Sequence, residues 1–255
     1  MFPSRRQTLL SSLFCLGFLI TSAYVAPVAG SDALAGDTSE LSEEERQREV
    51  AKLMRILNAR RNPVTDVDLT LQLTENPEIG ASNAKLVIAE FSSFQCGYCR
   101  RHNSVTMPQL VAEQIETGRV RYVFFDYSVE SPQPVAREAA EAGRCAADQG
   151  LYWELRNHLF RNPHRLQAGT FSDQAMIPDL DALPFEECME TGQFSAAVSS
   201  DLTRARALGI KGTPSFLVGF AVDDGAAVKV VRRITGAQPY DVFAGVVDEL
   251  LPKAP

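Results

Sequence analysis

The sequence predicts an α/β fold interrupted by a block of helices, and three observations predict it. Two near-continuous apolar runs, KLVIAEFSSF (Lys85–Phe94) and RVRYVFFDYSV (Arg119–Val129), bracket a helical stretch. They read as a strand–helix–strand unit whose strands are buried on both faces. After Ser131 the patterning is helical and strand signals vanish for roughly eighty residues, too long for a loop within one compact layer. Strand signals then return in PSFLVGF and AAVKVVRRI, divided by the DDG turn at Asp223–Gly225.

Taken from the start, residues 1–35 have the layout of a secretory signal peptide. Arg5 and Arg6 supply a positive n-region. An apolar run follows from Leu9 to about Val25, then small-residue processing sites, VAG before Ser31 or ALA before Gly36. An uncleaved anchor is the alternative, although the run barely reaches spanning length. SRRQTLL has a twin-arginine look, and a general secretory route fits as well.

Residues 36–66 hold a small polar linker and an amphipathic helix. Ser42 and Glu45 form a capping box, and Val50, Leu53, Met54 and Leu57 form one apolar stripe. Pro63 ends the helix. A stripe of this kind must be buried, either on the chain's own domain or in a homo-oligomer. Residues 67–130 begin with an alternating strand, VDLTLQLT, of edge character, and continue through the GASNA turn into the strand–helix–strand unit. Residues 131–209 form the helical insertion. Residues 210–255 supply the two late strands and a final helix from about Pro239 to Leu251.

The chain carries a formal charge of −7 over 255 residues, with 45% hydrophobic content. That composition suits a globular protein with a sizeable core. It leaves no basic stripe for phosphates, so no nucleic-acid partner is expected. Removing the signal leaves Cys96, Cys99, Cys145 and Cys188. An even number in an exported protein suits disulfide pairing in an oxidising compartment, the periplasm in a Gram-negative cell.

Cys96 and Cys99 lie at i, i+3 at a helix start, directly after a buried strand, where open α/β sheets place their chemistry. Unpaired backbone N–H groups and the helix dipole there favour an anion. Cys96 is therefore the candidate nucleophile with a lowered pKa, and Cys99, one turn further in, the resolving thiol. Gly97 and Tyr98 between them tune the pair. A zinc site needs four ligands, and neither the isolated Cys145 and Cys188 nor His102, His158 and His164 show ligand spacing. A purely structural bridge over so short a loop would stabilise little. Cys145 and Cys188, both in the insertion and both beside apolar helical faces, are expected to form a second, structural disulfide. His102 reads as a surface residue. No cofactor or metal is expected.

EFSSFQCGYCRRH, the helical insertion and GIKGTPSFLVG together resemble the DsbA-like branch of the thioredoxin superfamily, from roughly Asn76 to the end. The resemblance implies a thioredoxin fold with an inserted all-helical subdomain, preceded here by the amphipathic helix. It implies a disulfide-exchanging activity on exported, cysteine-containing proteins and a membrane redox partner that resets the site. It places Thr213 and Pro214 at the family's substrate-contacting cis-proline. It places Glu90, six residues before Cys96, at the buried acid that exchanges a proton with Cys99. Burial is expected to raise the pKa of Glu90. The overall architecture resembles the oxidases, whereas Gly97–Tyr98 and the threonine before the proline resemble the DsbC and DsbG isomerases, although the long separate dimerisation domain of DsbC is lacking. A non-catalytic holdase or binding module on the same fold is the alternative of another class.

Overall fold

The computed structural model describes residues 42–50, 63–128, 135–169, 171 and 177–254. The expected signal peptide, the linker up to residue 41, and Leu53, Met54 and Leu57 of the leading stripe lie outside the described residues. The chain divides into two units, Met1–Lys52 and Leu53–Pro255. In the first, helix α1 spans 43–50. Its capping box is formed: Ser42 N–H donates to Glu45 Oε2 at 2.9 Å, and Glu45 N–H donates to Ser42 Oγ at 3.2 Å.

Among the described residues of the second unit six strands form one sheet. They are β1 (Val64–Gln72), β2 (Glu78–Ile79), β3 (Leu86–Ser92), β4 (Val120–Asp126), β5 (Ser215–Val222) and β6 (Ala227–Thr235), in the spatial order β1-β6-β5-β3-β4-β2. The central β3 runs parallel to β4 and antiparallel to β5. Every residue of β3 and β4 is buried, in keeping with their near-continuous apolar character. Among the described residues β1 lies at an edge, pairs only with β6, and is mostly exposed, in keeping with its alternation. β5 carries a bulge between Val218 and Gly219. A Cβ on Gly219 would stand 2.1 Å from the Lys229 carbonyl oxygen, so the close approach of β6 admits only glycine.

Between β3 and β4 the chain is helical from Gly97 to Ile115. α2 (Gly97–Arg101) passes through a wide turn (His102–Thr106) into α3 (Met107–Leu110), and a second wide turn (Val111–Ile115) ends the run. Pro108 accounts for the first. It has no N–H to donate, and the preceding turn opens so that Met107 N–H reaches the His102 carbonyl, five residues back. The inserted segment contributes α4 (Val135–Ala147), α5 (Tyr152–Arg161), α6 (Ala182–Thr191) and α7 (Ser195–Ala207), with no strand among its described residues. α8 (Tyr240–Leu250) closes the fold.

Strand periodicity assigns the two faces. Leu86 and Ile88 of β3 pack with Met107, Leu110, Phe243 and Val247 beneath the 97–115 run and α8. Val87, Ala89 and Phe91 pack on the other face with Leu202 and Ala205 of α7. Glu90 therefore points to the side of Leu86 and Ile88, under the helix that carries the cysteines. The insertion builds a third cluster, in which Tyr152, Leu155, Leu159 and Phe160 meet Phe94, Cys99 and Phe124.

Two covalent and ionic ties fix the insertion. Cys145 of α4 and Cys188 of α6 form a disulfide across 43 residues. Buried Arg144 donates to Asp126 at the end of β4, at 3.0 Å, and to Asp201 of α7. Converting Cys145 and Cys188 together to alanine should cost about 4 kcal/mol by loop-closure entropy. The unfolding free energy of the double variant, from both its denaturant midpoint and a slope expected to rise as the unbridged unfolded chain exposes more surface, measures this.

Candidate active site

The turn after β3 presents Cys96 as the residue capping α2, in extended conformation with φ −78° and ψ 118°. Its sulfur accepts the Cys99 N–H at 3.2 Å, which satisfies one of the helix's unpaired donors. Cys96 is half-buried and Cys99 fully buried, and both are free thiols. From the far side of the sheet the Thr213–Pro214 loop arrives through a cis peptide bond and sets the Thr213 carbonyl oxygen 3.3 Å from Cys96 Sγ. Gly97 and Tyr98 are exposed beside the sulfur, Tyr98 by 67%.

The two thiols are driven apart in acidity. Cys96 is brought down to about 6, chiefly by the hydrogen bond from the Cys99 thiol. Partial burial opposes that, while Thr213 and the N–H groups of Cys99 and Tyr98 add to it. Cys99 is pushed up, first by burial, then by its bond to Cys96 and by the negative charge of Glu90. The exposed sulfur is thus a thiolate near neutrality, and the buried one keeps its proton.

Beneath Cys99 lies a buried polar chain. Glu90 Oε2 accepts from Arg156 Nη2 at 2.8 Å and from the Tyr122 hydroxyl at 2.8 Å. Tyr122 spends its proton on Glu90, so the 3.1 Å contact with His102 Nε2 is an N–H donated to the hydroxyl oxygen. That fixes the neutral His102 with a bare Nδ1, which has no hydrogen-bond partner among the described residues. Burial and the Arg156 charge bring His102 down to about 4, against the pull of Glu90. Arg156 is wholly enclosed. It also donates to Asn103 Oδ1, and the rings of Phe124, Trp153 and Phe160 lie 4.9, 5.2 and 5.0 Å from its guanidinium carbon.

Two expectations are corrected. Glu90 is buried as expected, but its pKa is lowered rather than raised. Burial alone would lift it, and the Arg156 guanidinium at 2.8 Å, with the hydrogen bond from the Tyr122 hydroxyl, reverses the sign. His102 is not a surface residue: it is fully buried against Phe216 and Phe243. The structure brings Cys96, Cys99, Glu90, Thr213 and Pro214 together, and sets Cys145 and Cys188 apart in the insertion. Tyr122, Arg156 and Asn103 escaped the sequence reading. Arg156 had left one trace there: it falls on the Tyr152, Leu155, Leu159 stripe of its helix, where a cation is out of place.

A sheet of this topology, with a C-x-x-C pair at a helix start facing a cis-proline, defines the class of thioredoxin-fold dithiol proteins. The chain belongs to the thioredoxin family: the family model described as Thioredoxin matches residues 73–227. Among solved structures, α-DsbA1 of Wolbachia pipientis superposes with a TM-score of 0.61 at 24% identity, covering 72% of this chain and 94% of that one. Oxidised BdbD of Bacillus subtilis superposes with a TM-score of 0.59 at 22% identity, covering 72% and 98%. In sequence, the probable disulfide bond formation protein D of Bacillus cereus is 22% identical over 147 residues, 55% of this chain and 68% of that protein. The Na(+)/H(+) antiporter NhaA 3 of Salinispora tropica is 29% identical over 139 residues, 54% of this chain. The match spans about a fifth of that antiporter's length (21%). No helix among the described residues is long and apolar enough to cross a membrane.

Proposed function

We propose that the chain is an exported thiol–disulfide oxidoreductase acting on cysteine-containing proteins in the oxidase sense. The observation that carries the reading is the pairing of a half-exposed Cys96 sulfur, 3.3 Å from the Thr213 carbonyl, with a fully buried Cys99 one turn below it.

In the oxidised state a substrate thiolate attacks Cys96 Sγ. The Cys96–Cys99 bond breaks and Cys99 leaves, taking a proton. A second substrate thiolate then attacks the substrate sulfur of the mixed disulfide and expels Cys96 as thiolate. The substrate dithiol is oxidised to a disulfide and the protein is reduced to its dithiol, which a membrane-bound disulfide partner reoxidises. Donors around Cys96 stabilise the reduced state, and this favours giving the disulfide away. The Thr213–Pro214 loop lines up an extended substrate strand against the sulfur. Glu90 is held ionised by Arg156 and acts by its charge. It opposes a thiolate at Cys99, and a proton passing between Cys99 and Glu90 would travel through a bridging water, since Oε1 makes no direct hydrogen bond to the sulfur.

Reoxidation of reduced RNase measured beside unscrambling of misbridged RNase tests the direction. Oxidation well ahead of unscrambling is expected. The reverse order would favour the isomerase sense that Gly97–Tyr98 and Thr213 resemble, with α1 and its continuation as the dimer contact. Undiminished protection of an aggregating client by a Cys96/Cys99 double variant would favour a binding module instead.

The acidity of Cys96 gives a further expectation. Iodoacetamide should label it with a rate that rises with pH, is half-maximal near pH 6 and flat above about pH 7.5, whereas an ordinary thiol is still climbing past pH 8. The pH profile of alkylation, followed by mass, reads it.

A further inference from the structure

The site sits in a chain of net charge −7, yet its own surroundings carry the opposite sign. Residues 91–112, which hold the cysteines, contain Arg100 and Arg101 and no Asp or Glu. Residues 202–222, which hold Thr213 and Pro214, contain Arg204, Arg206 and Lys211 and no Asp or Glu. The whole chain has 32 acids over 255 residues, so two acid-free stretches meeting at one site depart from its general run.

Several cations elsewhere on the surface have carboxylate partners, as Arg119 has Asp248, Arg137 has Glu141 and Lys253 has Glu249. Arg100, Arg101 and Lys211 have no hydrogen-bonding or ion-pairing side-chain partner among the described residues. Arg100 stands beside the turn that carries the reacting sulfur, and Arg101 and Lys211 are its neighbours in the two stretches that form the site. Arg100 N–H donates to the Cys96 carbonyl at 3.0 Å, and its guanidinium lies 3.8 Å from where a Cβ on Gly97 would stand. Arg101 follows it on the exposed side. Lys211 is exposed two residues before Thr213, so its Cα is within about 7 Å of the Thr213 Cα. Exposed Tyr98 and Val105, 67% and 60% accessible, offer apolar contact on the same helical run. Unpaired arginines are suited to carboxylates, and an acid-free rim removes the competing internal partners.

We infer that this rim selects protein segments in which acidic residues flank the reacting cysteine, with Arg100, Arg101 and Lys211 receiving their carboxylates. The inference rests on the thiol-exchange reading and names its substrate class. The cations act during encounter and in the mixed disulfide, and leave the exchange chemistry itself unchanged.

The test uses the oxidised full-length protein and three reduced single-cysteine peptides, identical except for Glu, Gln or Lys on both sides of the cysteine. A peptide thiolate attacks Cys96 Sγ, the Cys96–Cys99 bond breaks and Cys99 leaves, taking a proton. A second peptide thiolate then attacks the peptide sulfur of the mixed disulfide and expels Cys96, so the peptide is oxidised to its disulfide dimer and the protein reduced to its dithiol. The rate is read by acid quench and mass. At low salt the Glu peptide should react about tenfold faster than the Gln peptide, and the Lys peptide slower than both. The Glu/Gln ratio should fall towards one at about 0.5 M salt, where screening shortens to a few ångströms. It should fall likewise in Arg100→Gln/Arg101→Gln/Lys211→Gln. Equal rates for the three peptides, or a ratio that survives both salt and the triple variant, would overturn the inference while leaving thiol exchange intact. If none of the peptides reacts, the thiol-exchange reading falls with it.

Discussion

Replacing Cys96 with serine is expected to abolish disulfide transfer, lowering the rate of RNase oxidation by at least about a thousandfold, to the uncatalysed background. The reason is the division of labour between the two sulfurs. Cys96 is the sulfur that solvent can reach, that caps α2 and that stands against the Thr213 carbonyl. Cys99 is wholly buried and keeps its proton, so it cannot take over the first attack. Cys99→Ser should behave differently. It leaves the nucleophile in place, so mixed disulfides form and then persist, because nothing inside the protein displaces the substrate. A serine variant at 96 that retained near-normal turnover would show that the reaction runs elsewhere. RNase oxidation with each variant, and for Cys99→Ser the adduct it forms with disulfide-bonded RNase, measure both, after an unfolding curve shows the fold unchanged.

Arg156→Met is expected to destabilise the protein by about 3–5 kcal/mol. Both partners of the Arg156–Glu90 pair are fully enclosed, so removing the cation strands a carboxylate in a pocket of Phe124, Trp153 and Phe160. The pH dependence carries the signature. In the native protein Glu90 has a lowered pKa, so its contribution is present above the unfolded carboxylate pKa and is lost as pH falls through the folded one. In Arg156→Met burial is unopposed and the folded pKa rises above the unfolded value. The Glu90 contribution then reverses sign: the variant loses stability as pH rises from about 4 towards 8. The double variant Glu90→Gln/Arg156→Met removes both charges and should recover most of the loss. Denaturant unfolding at several pH values distinguishes this from simple loss of packing, which would be flat with pH and unrelieved by the second change.

Much of the fold was legible because its signals are local. The near-continuous apolar runs of β3 and β4, the DDG turn before β6 and the helical patterning after Ser131 each follow from residues close together in the chain. Cys96 and Cys99 were legible for the same reason, since a three-residue spacing at a strand end sets their geometry. The sign of the Glu90 shift was not. It depends on Arg156, 66 residues away, and burial alone points the other way. His102 was misread because its neighbours Arg101 and Ser104 are exposed; only the wide turn at Pro108 and the packing of Phe216 and Phe243 decide which way the ring faces. The buried charges on the inserted helices share a pattern. Arg144, Arg156 and Asp201 are charges set in the apolar stripes of α4, α5 and α7, alongside Ala140, Leu155 and Leu202. Such a charge needs a buried partner, and the sequence signals the need without identifying the partner.

The central claim is that Cys96 exchanges disulfides with protein substrates and that Cys99 resolves them. The most direct measurement is to mix the reduced Cys99→Ser protein with scrambled RNase, block free thiols and map the products by mass spectrometry. A covalent adduct joined through Cys96, with Cys145 and Cys188 still joined to each other, is the predicted result. Absence of any adduct, or an adduct held through Cys145 or Cys188, would contradict it.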